Sequence, residues 1–199
     1  MPSKKNIKNT PQAKDDNYIL DEADVLNGSP GSFSVTLDVM ANDLGGKSKS
    51  LSALDDGQGT DKQTETDLLN PDAEGQWEAT SGGNWVRIQD GKVELKLDKA
   101  LSDLGVSDSA ALKAGDIITD NFVYAIQMGK GTLSYAKVQI TLNGVNDAPV
   151  VSGDISGEVS LSEAVSVEGS LQASDVDRDS TLAWHLANGQ GRFGSLTLD

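Results

Sequence analysis

Apolar side chains in this 199-residue chain come in short runs that alternate with polar ones, and that period of two restricts its fold more than any other feature. Phe122, Tyr124, Ile126 and Met128 face one way along an extended backbone. A Gly129-Lys130-Gly131 turn follows, and then Ala136, Val138, Ile140 and Leu142 do the same. Since successive side chains of a strand point to opposite faces, each run predicts a strand with one buried side. Earlier in the chain, Phe33, Val35, Leu37 and Val39 alternate with polar residues up to a turn at Asn42-Asp43-Leu44-Gly45-Gly46. Trp85–Gln89, the turn Asp90-Gly91, and Val93, Leu95 and Leu97 read as a hairpin. Residues 99–115, with Leu101, Leu104 and Leu112 before Gly115, predict a short helix or turn. The fold class expected is all-β, many short strands arranged as a sandwich.

Between Ser48 and Gly83 the pattern is weak, which predicts a long decorated loop with a helical turn over Thr64–Leu69. A loop of that length in a compact domain implies a task. Residues 1–14 are basic and polar, and are expected to form a disordered leader. Met1 to Lys8 has the charge of a secretion signal's opening but no apolar core behind it, so no such signal is read there. Three options follow: a cytoplasmic chain, export by a C-terminal signal outside this stretch, or a piece of a larger protein.

Hydrophobic residues make up 37% of the chain and aromatics 5%, which suffices for thin β cores. No run approaches the roughly 18 apolar residues of a membrane span, so membrane insertion is not expected. The formal net charge of −15 would repel a phosphate backbone, which argues against nucleic acid and in favour of cations. Residues 147–199 hold nine acids against Arg178 and Arg192, a net −7. Without cysteine, neither disulfides nor a zinc–thiolate site can offset that charge.

The run Gly144-Val145-Asn146-Asp147-Ala148-Pro149-Val150-Val151 reads as a joint between two modules. Pro149 fixes its own φ and pushes Ala148 towards an extended conformation, while Asn146 and Asp147 supply side-chain oxygens there. After the joint the same grammar returns: Val165, Val167 and Leu171, then Leu182, Trp184 and Leu186, then Leu196 and Leu198, with a turn at Asn188-Gly189-Gln190-Gly191. A seven-stranded sandwich needs about 100 residues, so 147–199 is expected to be the first part of a second module following a first module over 15–146.

Asp120-Asn121-Phe122-Val123-Tyr124, the Asn-Asp-Ala-Pro joint, Ala173-Ser174-Asp175-Val176-Asp177 and Gly194-Ser195-Leu196-Thr197-Leu198 carry a resemblance. Over roughly residues 15–199 the chain resembles the VCBS and cadherin-like tandem repeats of large bacterial RTX-type surface adhesins. The resemblance implies immunoglobulin/cadherin-like β-sandwich modules in tandem, stiffened by Ca2+ and partnered by neighbouring modules of the same adhesin. It also implies cell adhesion at the bacterial surface, with export by a C-terminal signal. The alternative expectation is a ligand-binding module whose 48–83 region recognises a glycan or peptide.

Candidate metal ligands follow from the acids. Asp175, Asp177 and Asp179 stand at i, i+2 and i+4, a spacing at which a loop converges carboxylates on a hard cation, with calcium the natural occupant. This is not an EF-hand, since position six of such a loop is Ser180 and position twelve Leu186. Asn146 and Asp147 join that set. Asp15, Asp16, Asn42, Asp43 and Asp120 are candidates for a second site, with backbone capping the competing reading at Asp43. Glu158 and Glu163 lie where cadherin-like modules supply a glutamate, and Glu163 is included on that resemblance. Nonapeptide β-roll repeats are absent.

Catalysis is not expected. His185 falls opposite Leu182, Trp184 and Leu186, on an exposed face, and no nucleophile–base arrangement assembles around it. A paired-carboxylate hydrolase is disfavoured because acids in turns face solvent. Trp77 and Trp85 are read as packing residues, Trp85 opening a core strand and Trp77 lying over it, with presentation to a sugar or peptide as the alternative.

Overall fold

Alternation becomes pairing in the computed structural model, which describes residues 13–25, 34–55, 67–129, 131–158, 166–192 and 194–198. The chain divides into two units, Met1–Val145 and Asn146–Asp199. The first is all-β, built of two four-stranded sheets with little helix. Its elements are β1 (Asp16–Asp21), α1 (Glu22–Val25), β2 (Ser34–Leu37), β3 (Lys49–Asp55), β4 (Glu78–Ala79), β5 (Trp85–Gln89), β6 (Lys92–Lys96), α2 (Asp98–Asp103), β7 (Ile117–Met128) and β8 (Leu133–Asn143).

One sheet has the order β1-β8-β7-β3 and the other β2-β6-β5-β4. The β7–β8 hairpin is the longest pairing, running from Ile117↔Asn143 to Gln127↔Leu133. Its inward residues Phe122, Tyr124, Ile126, Ala136, Val138, Ile140 and Leu142 are all buried, as the period-two pattern requires. They form one apolar cluster with Val35 and Leu37 of β2, Val86 and Ile88 of β5, and Val93 and Leu95 of β6, so both sheets contribute to a single core. The β5–β6 hairpin turns at Asp90 and Gly91, whose φ values of 52 and 71 are those of a two-residue primed turn.

β1 runs parallel to β8, with Asp16 level with Val138 and Asp21 level with Asn143. Because the two strands point the same way, the chain comes in at one end of the unit and leaves about 20 Å further along, at the other. The incoming end is already held at Ala13 and Lys14, contrary to a free leader up to residue 14. The Ala13 N–H donates to Ser134 Oγ at 3.0 Å and the Lys14 N–H to Asp43 Oδ1 at 2.7 Å. Residues 1–12 lie outside the described residues.

The stretch expected to be loop from Ser48 to Gly83 instead holds β3 and β4. The β3 register slips between Leu51 and Ala53, so its apolar residues change phase and the alternation is lost to inspection. Leu68 is buried against Ala53 and Ala125, and the Asn70 N–H donates to Asp67 O, which places a turn at the end of the expected 64–69 helical turn; residues 56–66 lie outside the described ones. Helix α2 ends at Asp103, well before Gly115, and a 3₁₀ turn over Ser109–Ala111 follows it.

The second unit is laid out differently. Its described strands are β9 (Val150–Gly153) and β10 (Leu171–Ser174), paired antiparallel from Val150↔Ser174 to Gly153↔Leu171. The strands expected at Leu182–Leu186 and Leu196–Leu198 are not formed; a single bridge joins Gln190 and Ser195. Leu182, Trp184, Leu196 and Leu198 stay exposed, because no described strand covers them and a lone two-stranded pair cannot hold a core.

Candidate functional site

At the incoming end of the first unit, β1 and the turn after β2 bring Asp15, Asp16, Asn42 and Asp43 together. The Asn42 side chain donates to Asp15 O at 3.1 Å and to Asp16 Oδ1 at 3.0 Å, which ties the two segments. Asp43 is buried, and Lys49 Nζ donates to its carbonyl at 2.7 Å and also to Met40 O. Within 2.9–3.1 Å of the Tyr124 hydroxyl lie four oxygens: Val39 O, Lys14 O and both carboxylate oxygens of Asp43. A phenol has one proton, so it satisfies one of those acceptors fully and leaves the pocket rich in oxygen. Asp16 Oδ2 is buried there without a hydrogen-bond partner. Burial, with the charges of Asp43, Asp15 and Asp38, raises the Asp16 carboxyl to about 6. Burial and the Asp16 and Asp43 charges also push the Tyr124 hydroxyl strongly upward.

Asp120 serves a different purpose from the ligand role expected of it. It is buried on β7, and its two oxygens accept from Asn84 Nδ2 (2.7 Å), the Gly82 N–H (2.8 Å), the Asn121 N–H (2.7 Å), Ser81 Oγ (3.4 Å) and the Thr80 hydroxyl. Donors surround it on all sides, and a cation in their place would be repelled. Gly82 is required by that approach, since a Cβ there would stand 2.8 Å from Asp120 Oδ1. Asp120 thus fastens the 80–84 turn, and hence the start of β5, onto the other sheet.

In the second unit the structure brings Asn146, Asp147, Asp175 and Asp177 together. The Asp147 N–H donates to Asp177 Oδ2 at 3.1 Å, the Asp177 N–H to Asp175 Oδ1 at 2.9 Å, and Asn146 Nδ2 to Asp147 O at 2.6 Å. Among the described residues of this unit Asp177 alone is buried, at 7% exposure, and its Oδ1 has no hydrogen-bond partner. Asp179 is not drawn in: it sits in the left-handed region at φ 58, with its carboxylate turned to Arg178 at 3.1 Å. Glu158 is exposed, and Glu163 lies outside the described residues.

These two places differ from Asp120 in how well they suit a hard cation. Both gather carboxylate and carbonyl oxygens with fewer donors among them than Asp120 has, and both bury a carboxylate oxygen that no donor satisfies; calcium accepts carboxylates, carbonyls and water alike. Among the described residues no group of three or more acidic or histidine side chains is placed to hold a metal ion, so backbone carbonyls and water would have to supply most of the ligands. Asp16 and Asp43 would hold an ion in the first unit, and Asp147, Asp175 and Asp177 a separate one in the second.

The described residues also contain an acid pair that the sequence does not single out. Asp72 lies along the open edge of β3, its N–H donating to Ser52 O at 2.9 Å and its Oδ2 accepting from the Leu54 N–H at 2.6 Å. The Glu78 carboxyl hydrogen-bonds to it, and burial together with the charges of Asp72, Asp67 and Asp55 raises Glu78 to about 8. Nothing in local sequence spacing marks this pair, because strand pairing at both ends of the 70–79 segment creates it.

His185 is exposed, as read. The packing assigned to the tryptophans is corrected: Trp85 lies on the outer face of β5 at 44% exposure, and the core positions of that strand are Val86 and Ile88. Trp77 packs against cations, with the Arg87 guanidinium 4.4 Å and Lys96 Nζ 4.6 Å from its ring centre. Among the described residues no helix is long and apolar enough to cross a membrane. No protein-family model matches this chain, and no curated protein matches it.

Proposed function

We propose that the chain is a calcium-stiffened extender segment of a bacterial surface adhesin, its units immunoglobulin/cadherin-like modules in tandem. The strand order supports the module type. β3-β7-β8 and β2-β6-β5 correspond to the C-F-G and B-E-D groupings of that fold, with the first strand moved to pair beside the last. Parallel β1–β8 pairing suits an extender, since it sends the chain in at one end and out at the other.

The observation that carries the reading is Asp177. A unit whose described apolar residues are all at least partly exposed buries a carboxylate instead, one oxygen unsatisfied, against the N–H of Asp147 in the joint. A buried carboxylate oxygen left without a donor is costly, and a cation at that oxygen would remove the cost. Bound calcium would supply charge neutralisation and shared oxygen coordination. Asp177 and Asp175 orient the loop through the Asp177 N–H, and Asp147 anchors the segment after the joint to that loop. Pro149 keeps the same segment extended. At a free concentration about 100-fold above the dissociation constant, binding to the folded form alone contributes about 2.7 kcal/mol per site.

The test is the melting temperature of the full chain in calcium, then in chelator, then in magnesium. A rise of several degrees with calcium and little with magnesium is expected. Superimposable curves in all three would end the proposal.

A further inference from the structure

Away from both acid clusters, the outer face of β2-β6-β5-β4 has the opposite character to the rest of the chain. Its β5 and β6 positions are Trp85, Arg87 and Gln89, and Lys92, Glu94 and Lys96, three cations against one acid in a chain of net −15. Register sets them in rows. Ala79, Trp85, Lys96 and Ser34 lie side by side across all four strands, and Arg87, Glu94 and Thr36 form the next row. Cross-strand neighbours stand about 5 Å apart, so the Lys96 side chain rises directly beside the exposed indole of Trp85, while the small Ala79 leaves the other flank of that ring open. Trp77 stacks on the heads of both Lys96 and Arg87, and Glu94 holds Arg87 at 2.6 Å. The cations are thereby fixed in place rather than trailing into solvent.

We infer that this face is a binding platform for an anionic polysaccharide, with Trp85 stacking on the apolar face of a sugar ring and Lys96, with Lys92 beyond it, taking the ring's carboxylate or sulfate. An exposed indole on a sheet face suits a sugar ring laid against it better than a peptide, which needs a groove or a strand edge. The surrounding net charge disfavours a polyanion as dense as nucleic acid. The inference is independent of calcium, so it stands or falls separately from the extender reading.

The experiment is a titration of the full chain, in chelator, followed by intrinsic tryptophan fluorescence and calorimetry. The probes are polygalacturonate (carboxylate), heparin (sulfate), dextran (neutral) and polyglutamate (acidic, without sugar rings). At least one anionic polysaccharide is expected to bind ten-fold or more tighter than dextran and polyglutamate, and more weakly as salt rises. Trp85→Ala and Lys96→Glu should each weaken it about ten-fold, whereas Lys137→Glu on the other sheet should leave it unchanged. Since Trp85 is exposed, its variant should melt with the parent, and Lys92→Glu provides a second route to the same loss. Failure of both polysaccharides to bind, equal binding of polyglutamate, or indifference to both Trp85→Ala and the lysine reversals would overturn the platform.

Discussion

The two units use opposite materials for their interiors. The first buries Phe122, Tyr124, Leu95, Leu142 and their neighbours in one apolar cluster that both sheets share. Among its described residues the second buries only Asp177. Apolar burial is non-directional and holds in any aqueous medium, whereas a buried carboxylate is stable only with a partner that the medium may or may not supply. One unit is therefore expected to be stable by itself, and the other to be conditional on its surroundings.

That contrast can be broken most decisively in the apolar core. Phe122→Ala should cost about 3–5 kcal/mol and lower the melting temperature of the first unit equally with and without calcium. Leu196→Ala, exposed in the second unit, should change stability by less than about 0.5 kcal/mol in chemical denaturation. A large effect at Leu196 would show that the second unit has an apolar core after all.

Asp120→Ala comes next, at about 3 kcal/mol, because it strands the donors of Asn84, Thr80 and Gly82 inside the protein. The loss should be the same in chelator as in calcium, as measured by urea midpoints. A calcium-dependent loss would make Asp120 a ligand and blur its distinction from Asp177.

Asp177→Asn should behave in the reverse way. It keeps an acceptor for the Asp147 N–H but removes the charge, so the calcium-induced rise in melting temperature should disappear while the curve in chelator moves little or rises. Retention of the full calcium effect would detach the metal from this loop.

The smallest expected effect is on pH dependence. Glu78 titrates near 8 in the folded chain against an ordinary 4.5, and Asp16 near 6 against 3.8. For both, the folded state holds the proton more tightly. Their stabilising contribution is therefore complete below those ordinary values and is lost as pH rises through 6 for Asp16 and through 8 for Glu78. Hydrogen exchange along the β3 edge should accordingly speed up beyond base catalysis between pH 4.5 and 8, and Glu78→Gln should remove that excess. An unchanged excess in the variant would assign it to another group.

Much of the first unit was legible in advance. The β5–β6 hairpin needed only Asp90-Gly91 between two alternating runs, and the β7–β8 strands needed only Phe122 to Met128 and Ala136 to Leu142. The slip at Leu51–Ala53 hid β3, and the two-residue β4 was too short to show a period. In the second unit the alternation of Leu182, Trp184 and Leu186 misled, because a pattern states which face would be buried but does not provide the surface that buries it. Asp15, Asp16 and Asp43 were readable as acids near turns, and Asp175 and Asp177 as acids in a loop. The exposure of Trp85 was readable but missed: it shares its face with Arg87 and Gln89, opposite Val86 and Ile88, and aromatic character was given more weight than parity.

By itself the sequence determined the all-β character and the acidic balance, since neither depends on which distant residues meet. Only tertiary structure decided that Asp120 is spent on five donors while Asp16 and Asp177 each keep a buried oxygen without one. Carboxylates are chemically alike, and what separates them is the set of groups that folding brings within 3 Å from strands and turns distant in the chain.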